Sequence, residues 1–330
     1  MTLPPLSDLL DTARVVALPL VTRFRGVDLR EALLLEGPEG WTEFSPFTEY
    51  ADEEAATWLA GAIDFGWHPS PRAERSEIPV NATVPAVSAA SVPHVLSRFD
   101  GCRTAKVKVA ERGQRLDDDV ARVRAVREQM GPEGRIRVDA NGGWNIDEAE
   151  HAIHALAAYD LEYVEQPCAE VDELAEVRRR VAYMGIPIAA DESVRKASDP
   201  LAVARAGAAD LLVVKAQPLG GVERALRIVA EAGLPAVVSS ALDTSVGLAM
   251  GVALAASLPD LDVDCGLGTA SLLAADVTSD PLRPQGGSVP VRRVSAEPDL
   301  LARHAADRER REWWLDRLSR CHAVLSARED

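Results

Sequence analysis

Three acids stand at the ends of apolar runs, evenly spaced along the chain. They are Asp139 in Ile136-Arg137-Val138-Asp139, Glu165 in Tyr163-Val164-Glu165 and Asp191 in Ile188-Ala189-Ala190-Asp191. A buried strand ending on a carboxylate presents that group at the rim of a sheet, on rigid backbone. Carboxylates alone, without histidine or cysteine, make a hard oxygen site that suits Mg²⁺ better than zinc, with Mn²⁺ able to substitute. Left without a cation, such acids repel and raise one another's pKa. Lysines flank the set. Lys106 and Lys108 alternate with valines and therefore share a strand face, and Lys215 closes the run Leu211-Leu212-Val213-Val214. A lysine beside a cation and other lysines is driven toward the neutral amine, which makes it a base near neutral pH. The chemistry these parts imply is removal of a proton next to a carboxylate, with the metal stabilising the resulting enediolate.

The elements that position these groups follow from the pattern around them. From Ile78 onward, short apolar strands alternate with amphipathic helices. Strand cores are expected at Val80–Val84, Ala105–Val109, Ile136–Asp139, Tyr163–Glu165, Ile188–Asp191, Leu211–Lys215, Ala236–Ser240 and Val263–Gly266. Helices are expected at Asp117–Met130, Ile146–Tyr159, Asp172–Met184, Pro200–Ala206, Val222–Ala232 and Ser245–Leu258. Repeated βα units of this size indicate a barrel, whose strand C-termini converge on one mouth. No Gly-x-Gly-x-x-Gly turn follows an early strand, which argues against a doubly wound sheet. The strand ends contribute, in order, Lys106 and Lys108, Asp139, Glu165, Asp191, Lys215, Ser239 and Ser240, and finally Gly266-Leu267-Gly268-Thr269. His151 and His154 fall on an outer helix and are set aside as ligands.

Residues 1–77 read as a separate α+β unit. It has a strand from Ala13 to Phe24, a hairpin around Gly37-Pro38-Glu39-Gly40, and a helix capped by Asp52 with Ala55, Ala56, Leu59 and Ile63 on one face. Residues 78–284 form the barrel. Residues 285–330 hold a strand at Ser288–Val294 and a helix with Trp314, Leu318, Cys321 and Leu325 on one stripe, expected to pack back on the first unit. The basic run Arg308–Arg311 alternates with acids and reads as a solvated helix face.

Composition narrows the partners. The 330 residues are 47% apolar and carry a formal charge of −16, which disfavours nucleic acid. No uninterrupted apolar stretch is long enough to span a membrane. The opening Met-Thr-Leu-Pro-Pro has no basic segment ahead of an apolar one, so no secretory leader is expected. Four scattered cysteines, Cys102, Cys168, Cys265 and Cys321, fit reduced thiols in the cytoplasm. The expected partner is a small anionic carboxylate; oligomeric state is not encoded in any motif.

As a set, Lys106-x-Lys108, Asp139-Ala-Asn141, Val164-Glu165-Gln166-Pro167, Ala190-Asp191-Glu192-Ser193 and Lys215 resemble the enolase superfamily, in its muconate-lactonizing subgroup. The resemblance spans the chain. It implies an α/β fold: a modified TIM barrel, (β/α)7β, with an α+β N-terminal capping domain completed by the C-terminal segment. It implies that Asp139, Glu165 and Asp191 hold Mg²⁺, with Asn141 and Glu192 behind them. By the same likeness Lys108 takes the α-proton and returns it to a leaving hydroxyl, Lys106 supports it, and Lys215 stabilises charge from the opposite face. Arg137, Ser240, Gly266 and Gly268 become candidates for holding the substrate. The capping loop Thr22–Leu29 offers Arg23 or Arg25 to its anionic groups.

The activity so implied is dehydration of a carboxylate substrate, with racemisation of N-acylamino acids as the alternative. Dipeptide epimerases carry an Asp-x-Asp where this chain has Gly266 and Gly268, and sugar-acid dehydratases carry a histidine where it has Ser239 and Ser240. A Schiff-base aldolase built on Lys215 would leave the three acids and Lys106-x-Lys108 unexplained.

Overall fold

The computed structural model describes residues 3–194 and 199–329; Met1 and Thr2, on which the leader expectation rests, lie outside the described residues. The first unit begins with helix α1 (Leu6–Thr12). An antiparallel sheet follows, of β1 (Arg14–Phe24), β2 (Val27–Gly37) and β3 (Gly40–Phe44) in that order, and then helix α2 (Asp52–Trp67). Phe24 pairs with Val27. The expected loop from Thr22 to Leu29 is therefore strand, apart from a two-residue turn at Arg25 and Gly26. Both residues have positive φ, +49° and +77°, the geometry that matches strand twist in a tight hairpin. Asp52 does not cap α2. The N-cap is Ala51, and the Asp52 carboxylate accepts from Arg320 Nε at 2.7 Å instead. Helix α2 is buried well beyond one stripe, with Trp58, Ala60, Ala62 and Phe65 joining the expected residues, because it lies between the cap sheet and the C-terminal helix.

The barrel begins at β4 (Glu77–Pro79) and runs as seven parallel strands: β5 (Ala82–Val84), β6 (Thr104–Lys108), β7 (Arg135–Asp139), β8 (Leu161–Glu165), β9 (Ile188–Ala190), β10 (Leu211–Val214) and β11 (Ala236–Val238). The connecting helices are α3 (Val92–Leu96), α4 (Leu116–Met130), α5 (Ile146–Leu156), α6 (Val171–Val181), α7 (Asp199–Arg205), α8 (Val222–Ala232) and α9 (Ser245–Ser257). The eighth expected strand is reduced to two parallel bridges, Val80 with Cys265 and Ser239 with Gly266. They close the ring between the first and seventh barrel strands through Asn81 N to Cys265 O (2.9 Å) and Gly266 N to Val238 O (2.8 Å). The segment lacks an apolar run and ends on a glycine; at Gly266 a Cβ would fall 2.4 Å from Ser239 Oγ. Helix α9 is apolar all round because it is enclosed on all sides, packing on β3 of the cap as well as on the barrel.

The tail divides its contacts. Strand β12 (Ser288–Pro290), shorter than expected, pairs antiparallel with β4 of the barrel rather than with the cap sheet. After α10 (Pro298–Arg303), helix α11 (Arg308–Glu329) buries Trp314, Leu318, Cys321 and Leu325 in one apolar cluster with Ala55, Leu59 and Ile63 of α2. Its basic run is spent on ion pairs, Arg308 with Glu312 at 2.8 Å and Arg310 with Glu31 of β2 at 2.6 Å. No described helix is long and apolar enough to cross a membrane, and the four cysteines are unbonded to one another.

Candidate active site

Register builds the site. Lys108 of β6 lies level with Asp139 of β7, and Asp139 level with Glu165 of β8. Asp191 follows β9 directly. The three acids are buried, and one oxygen of each lies within 4.8 Å of the others. Each is met by a lysine. Lys108 Nζ donates to Asp139 and, at 2.7 Å, to Asn141 Oδ1. Lys215 Nζ contacts both Asp191 oxygens at 2.5 Å. Lys106 starts one pleat lower but reaches up between two acids, 2.8 Å from Glu165 and 3.5 Å from Asp139.

Two amides hold the strand ends. Asn141, at φ +47°, donates its backbone N–H to Asp139 Oδ1 and its side-chain amide to Glu192, both at 3.0 Å. Gln166, at φ +41°, accepts from Asp191 N at 2.9 Å and donates to Ser193 Oγ at 2.8 Å, so it ties the exit of β8 to that of β9. Left-handed backbone at non-glycine residues is strained and persists where neighbours over-determine it.

The electrostatics favour a cation among the acids. Burial, and then the neighbouring Asp139, push the Glu165 carboxyl up to about 8 against the pull of Lys106. Burial also works to raise Asp139, but Lys108 and Lys106 outweigh it and hold that group below the usual carboxylate range. Burial disfavours the Lys106 ammonium, yet Glu165 and Asp139 together keep it charged. Three converging buried oxygens, one of which resists ionising beside its neighbours, fit a divalent cation.

A cavity opens over this group. Lys106, Lys108, Lys215, Asn141, Asp191 and Glu192 line its base; Phe24, Arg25 and Phe47 come from the cap; Thr83, Ser239, Ser240, Leu242, Gly266 and Thr269 form the remaining wall. Ser240 Oγ donates to Gly266 O at 2.9 Å and pairs with Thr269 Oγ1 at 2.7 Å. Arg25 is stacked on the Phe47 ring, 4.3 Å from its centroid, while Arg23 lines only the neighbouring recess.

Two expected substrate contacts do not reach the cavity. Arg137 shares the inward phase of Asp139 but lies one pleat deeper and is fully buried. It donates to Glu162 Oε2 and to Asp264 O, both at 2.5 Å, and to Asn81 Oδ1 at 3.2 Å, over the Tyr163 ring. It fastens the barrel interior, below the residues that line the cavity. Gly268 packs on the first barrel strand, where a Cβ would meet Asn81 O at 2.9 Å. Conversely, Thr83, Phe47 and Leu242 line the cavity without having been singled out. Thr83 could have been found as the inward neighbour of Val84 at the end of the first strand; Phe47 and Leu242 reach the cavity only because the cap docks on the barrel.

Fold and site together define a class. Residues 93–298 match the enolase C-terminal domain-like family and residues 15–66 the enolase N-terminal domain-like family. The chain belongs to the enolase superfamily. Among its relatives, the o-succinylbenzoate synthases of Mycolicibacterium smegmatis and Mycobacterium tuberculosis are each 54% identical to it. The alignments cover 98% of this chain, with 98% and 97% of those proteins. Solved structures with the same fold include muconate lactonizing enzyme from Pseudomonas fluorescens, with a TM-score of 0.76 and 20% identity over 89% of this chain and 98% of that one. They also include the L-Ala-D/L-Glu epimerase of Bacillus subtilis, with a TM-score of 0.73 and 22% identity over 86% and 98%.

Proposed function

We propose that this chain is an o-succinylbenzoate synthase, dehydrating 2-succinyl-6-hydroxy-2,4-cyclohexadiene-1-carboxylate to 2-succinylbenzoate, a step of menaquinone biosynthesis. The observation that carries the reading is the pair Lys108 and Lys215, which flank the Asp139, Glu165 and Asp191 triad within one cavity. The full-length likeness to named synthases supports the choice of substrate.

Asp139, Glu165 and Asp191 would hold Mg²⁺, whose charge stabilises the negative charge that develops on the substrate carboxylate. Lys108 removes the α-proton. Asn141, fixed by Glu192, directs the amine from the side away from Asp139. The pair of electrons left on carbon expels the adjacent hydroxyl, to which Lys108 returns the proton, so water leaves and the ring becomes aromatic. Lys215, in contact with both Asp191 oxygens, stabilises the accumulating charge from the other side. The aldolase reading would leave Asp139, Glu165, Asp191, Lys106 and Lys108 without a role. Lys106, between Glu165 and Asp139, keeps the two acids apart in charge and supports Lys108. Ser240, Thr269 and Gly266 form a polar wall for the succinyl end, and Arg25 supplies positive charge at the cap edge for its carboxylate. The four unbonded cysteines support a cytoplasmic setting.

Racemisation of N-acylamino acids is the second reading, because a base on each side of one carbon is what a 1,1-proton transfer needs. An assay of the cyclohexadiene substrate beside N-succinyl amino acids, with and without Mg²⁺, decides between them. Metal-dependent dehydration as the dominant activity is the expected result; racemisation without dehydration would overturn the assignment.

A further inference from the structure

Away from the metal acids, a buried polar cluster joins the cap to the loop after β11. Arg30 of β2 and Glu43 of β3 are 3% and 0% exposed. Arg30 Nε donates to Leu242 O at 3.1 Å, and its Nη2 donates to Ser45 O at 2.5 Å and Ser45 Oγ at 3.0 Å. Ser45 Oγ in turn donates to Glu43 Oε1 at 2.5 Å. Glu43 Oε2 crosses to the start of α9, accepting from Thr244 N at 3.0 Å, Thr244 Oγ1 at 2.5 Å and Gly247 N at 3.2 Å. A Cβ on residue 247 would lie 2.6 Å from that oxygen, so the cap carboxylate reaches the helix only because the position is glycine.

What this cluster grips is strained. Leu242 is a buried leucine at φ +64°, a left-handed conformation that a side chain disfavours. Its carbonyl is held by Arg30, and the backbone just before it by Asp243, which accepts from Ala241 N at 3.1 Å and from Gln217 Nε2 at 3.0 Å. Gln217 accepts from Ser45 N at 3.4 Å, returning to the cap. Ser240, Ala241 and Leu242 are cavity wall, and Phe47, whose ring lies 4.6 Å from the Arg30 guanidinium, is the cavity's cap side.

We propose that Arg30 and Glu43 are positioning residues: from the capping domain they set the Ser240–Leu242 wall and the Phe47 ring against each other, and so fix the width of the substrate cavity. The strain in Leu242 persists because two domains clamp it, which makes cap docking a condition of substrate fit. The proposal depends on the reaction assigned above only through its assay.

The test is Arg30→Met in the full chain, which keeps bulk and removes both grips. The expected result is a KM about tenfold higher with kcat changed less than threefold and divalent-cation affinity unchanged. Arg30→Lys, which retains one donor, should recover part of the KM. Thr244→Val, which removes one donor to Glu43 from the barrel side, should raise KM about threefold. If the wild type does not turn over the cyclohexadiene substrate, the functional reading fails by itself; the affinity for 2-succinylbenzoate by calorimetry then replaces KM. Folded variants with unchanged KM or affinity would overturn the proposal. So would a parallel fall of kcat, substrate affinity and cation affinity, or failure of both Arg30→Met and Thr244→Val to fold, which would make the cluster structural alone.

Discussion

Two layers of buried charge lie one above the other inside the same barrel, on the same inward phase of the same strands. In the upper layer, Asp139, Glu165 and Asp191 face Lys106, Lys108 and Lys215, with a cavity above them. In the lower layer, Arg137 is enclosed by Glu162, Asn81, Asp264 O and Tyr163, with no cavity above it. The lower charge is held by fixed partners, Glu162, Asn81 Oδ1 and the Asp264 carbonyl, while its Nη2 lacks a hydrogen-bond partner among the described residues. The upper acids are crowded enough that one of them resists ionising, and their lysine partners are mobile-ended groups that can exchange a carboxylate for a substrate. Depth in the barrel, rather than residue type or strand face, separates a fastening from a reaction centre.

The largest effect that would sharpen this contrast is on Lys108. Lys108→Ala should lower kcat by about 10²–10⁴-fold, the range for loss of a positioned general base, while cation affinity measured by calorimetry stays within a few-fold, since the three acids remain. Appreciable dehydration by that variant would remove Lys108 from the role. The lower layer should answer differently. Arg137→Met strands Glu162 and the Asp264 carbonyl and should cost about 3–5 kcal/mol of stability, the scale for breaking a buried pair. A denaturant titration reads this directly. KM of the folded fraction should hardly move, and a large KM change with intact stability would return Arg137 to the substrate site.

Much of the upper layer was legible in the chain because alternation reports strand face. Lys106-Val-Lys108 and the acids at the ends of apolar runs needed no long-range information to be placed at one rim. The depth of Arg137 was not legible, because alternation gives phase and not depth: it shares the phase of Asp139, and its partners Asn81, Glu162 and Asp264 are brought to it only by barrel closure. The place of Gly268 was hidden similarly, since its reason for being glycine is Asn81 of the first strand. The eighth strand was over-read as a full strand from its position in the repeat, where only two bridges form. Arg25, Phe47 and Leu242 meet across a domain boundary, so their placement depends on how the cap docks.

The upper layer should also respond to pH. Glu165 has its carboxyl raised to about 8, so it holds a proton at lower pH, and that proton must leave before a cation can be bound. Affinity for Mg²⁺ should therefore weaken as pH falls below about 8, by roughly up to tenfold per unit. Binding at pH 7 should release protons, seen as a dependence of the calorimetric heat on the buffer. Cation affinity that is flat between pH 6 and 8 would mean that the lysines already keep Glu165 ionised.

The smallest effect belongs to Thr83, at the wall shared by both layers' strands. The residue lines the cavity, and its buried hydroxyl has no hydrogen-bond partner among the described residues. Buried hydroxyls are ordinarily satisfied, and an acceptor on the substrate would satisfy this one. Thr83→Val keeps the shape and removes the donor, so KM should rise about fivefold, the worth of roughly 1 kcal/mol of hydrogen bond, with kcat and stability unchanged. If stability rises while KM stays put, the hydroxyl is an unmet cost of the wall, and the boundary between the reacting layer and the fastened one lies above Thr83.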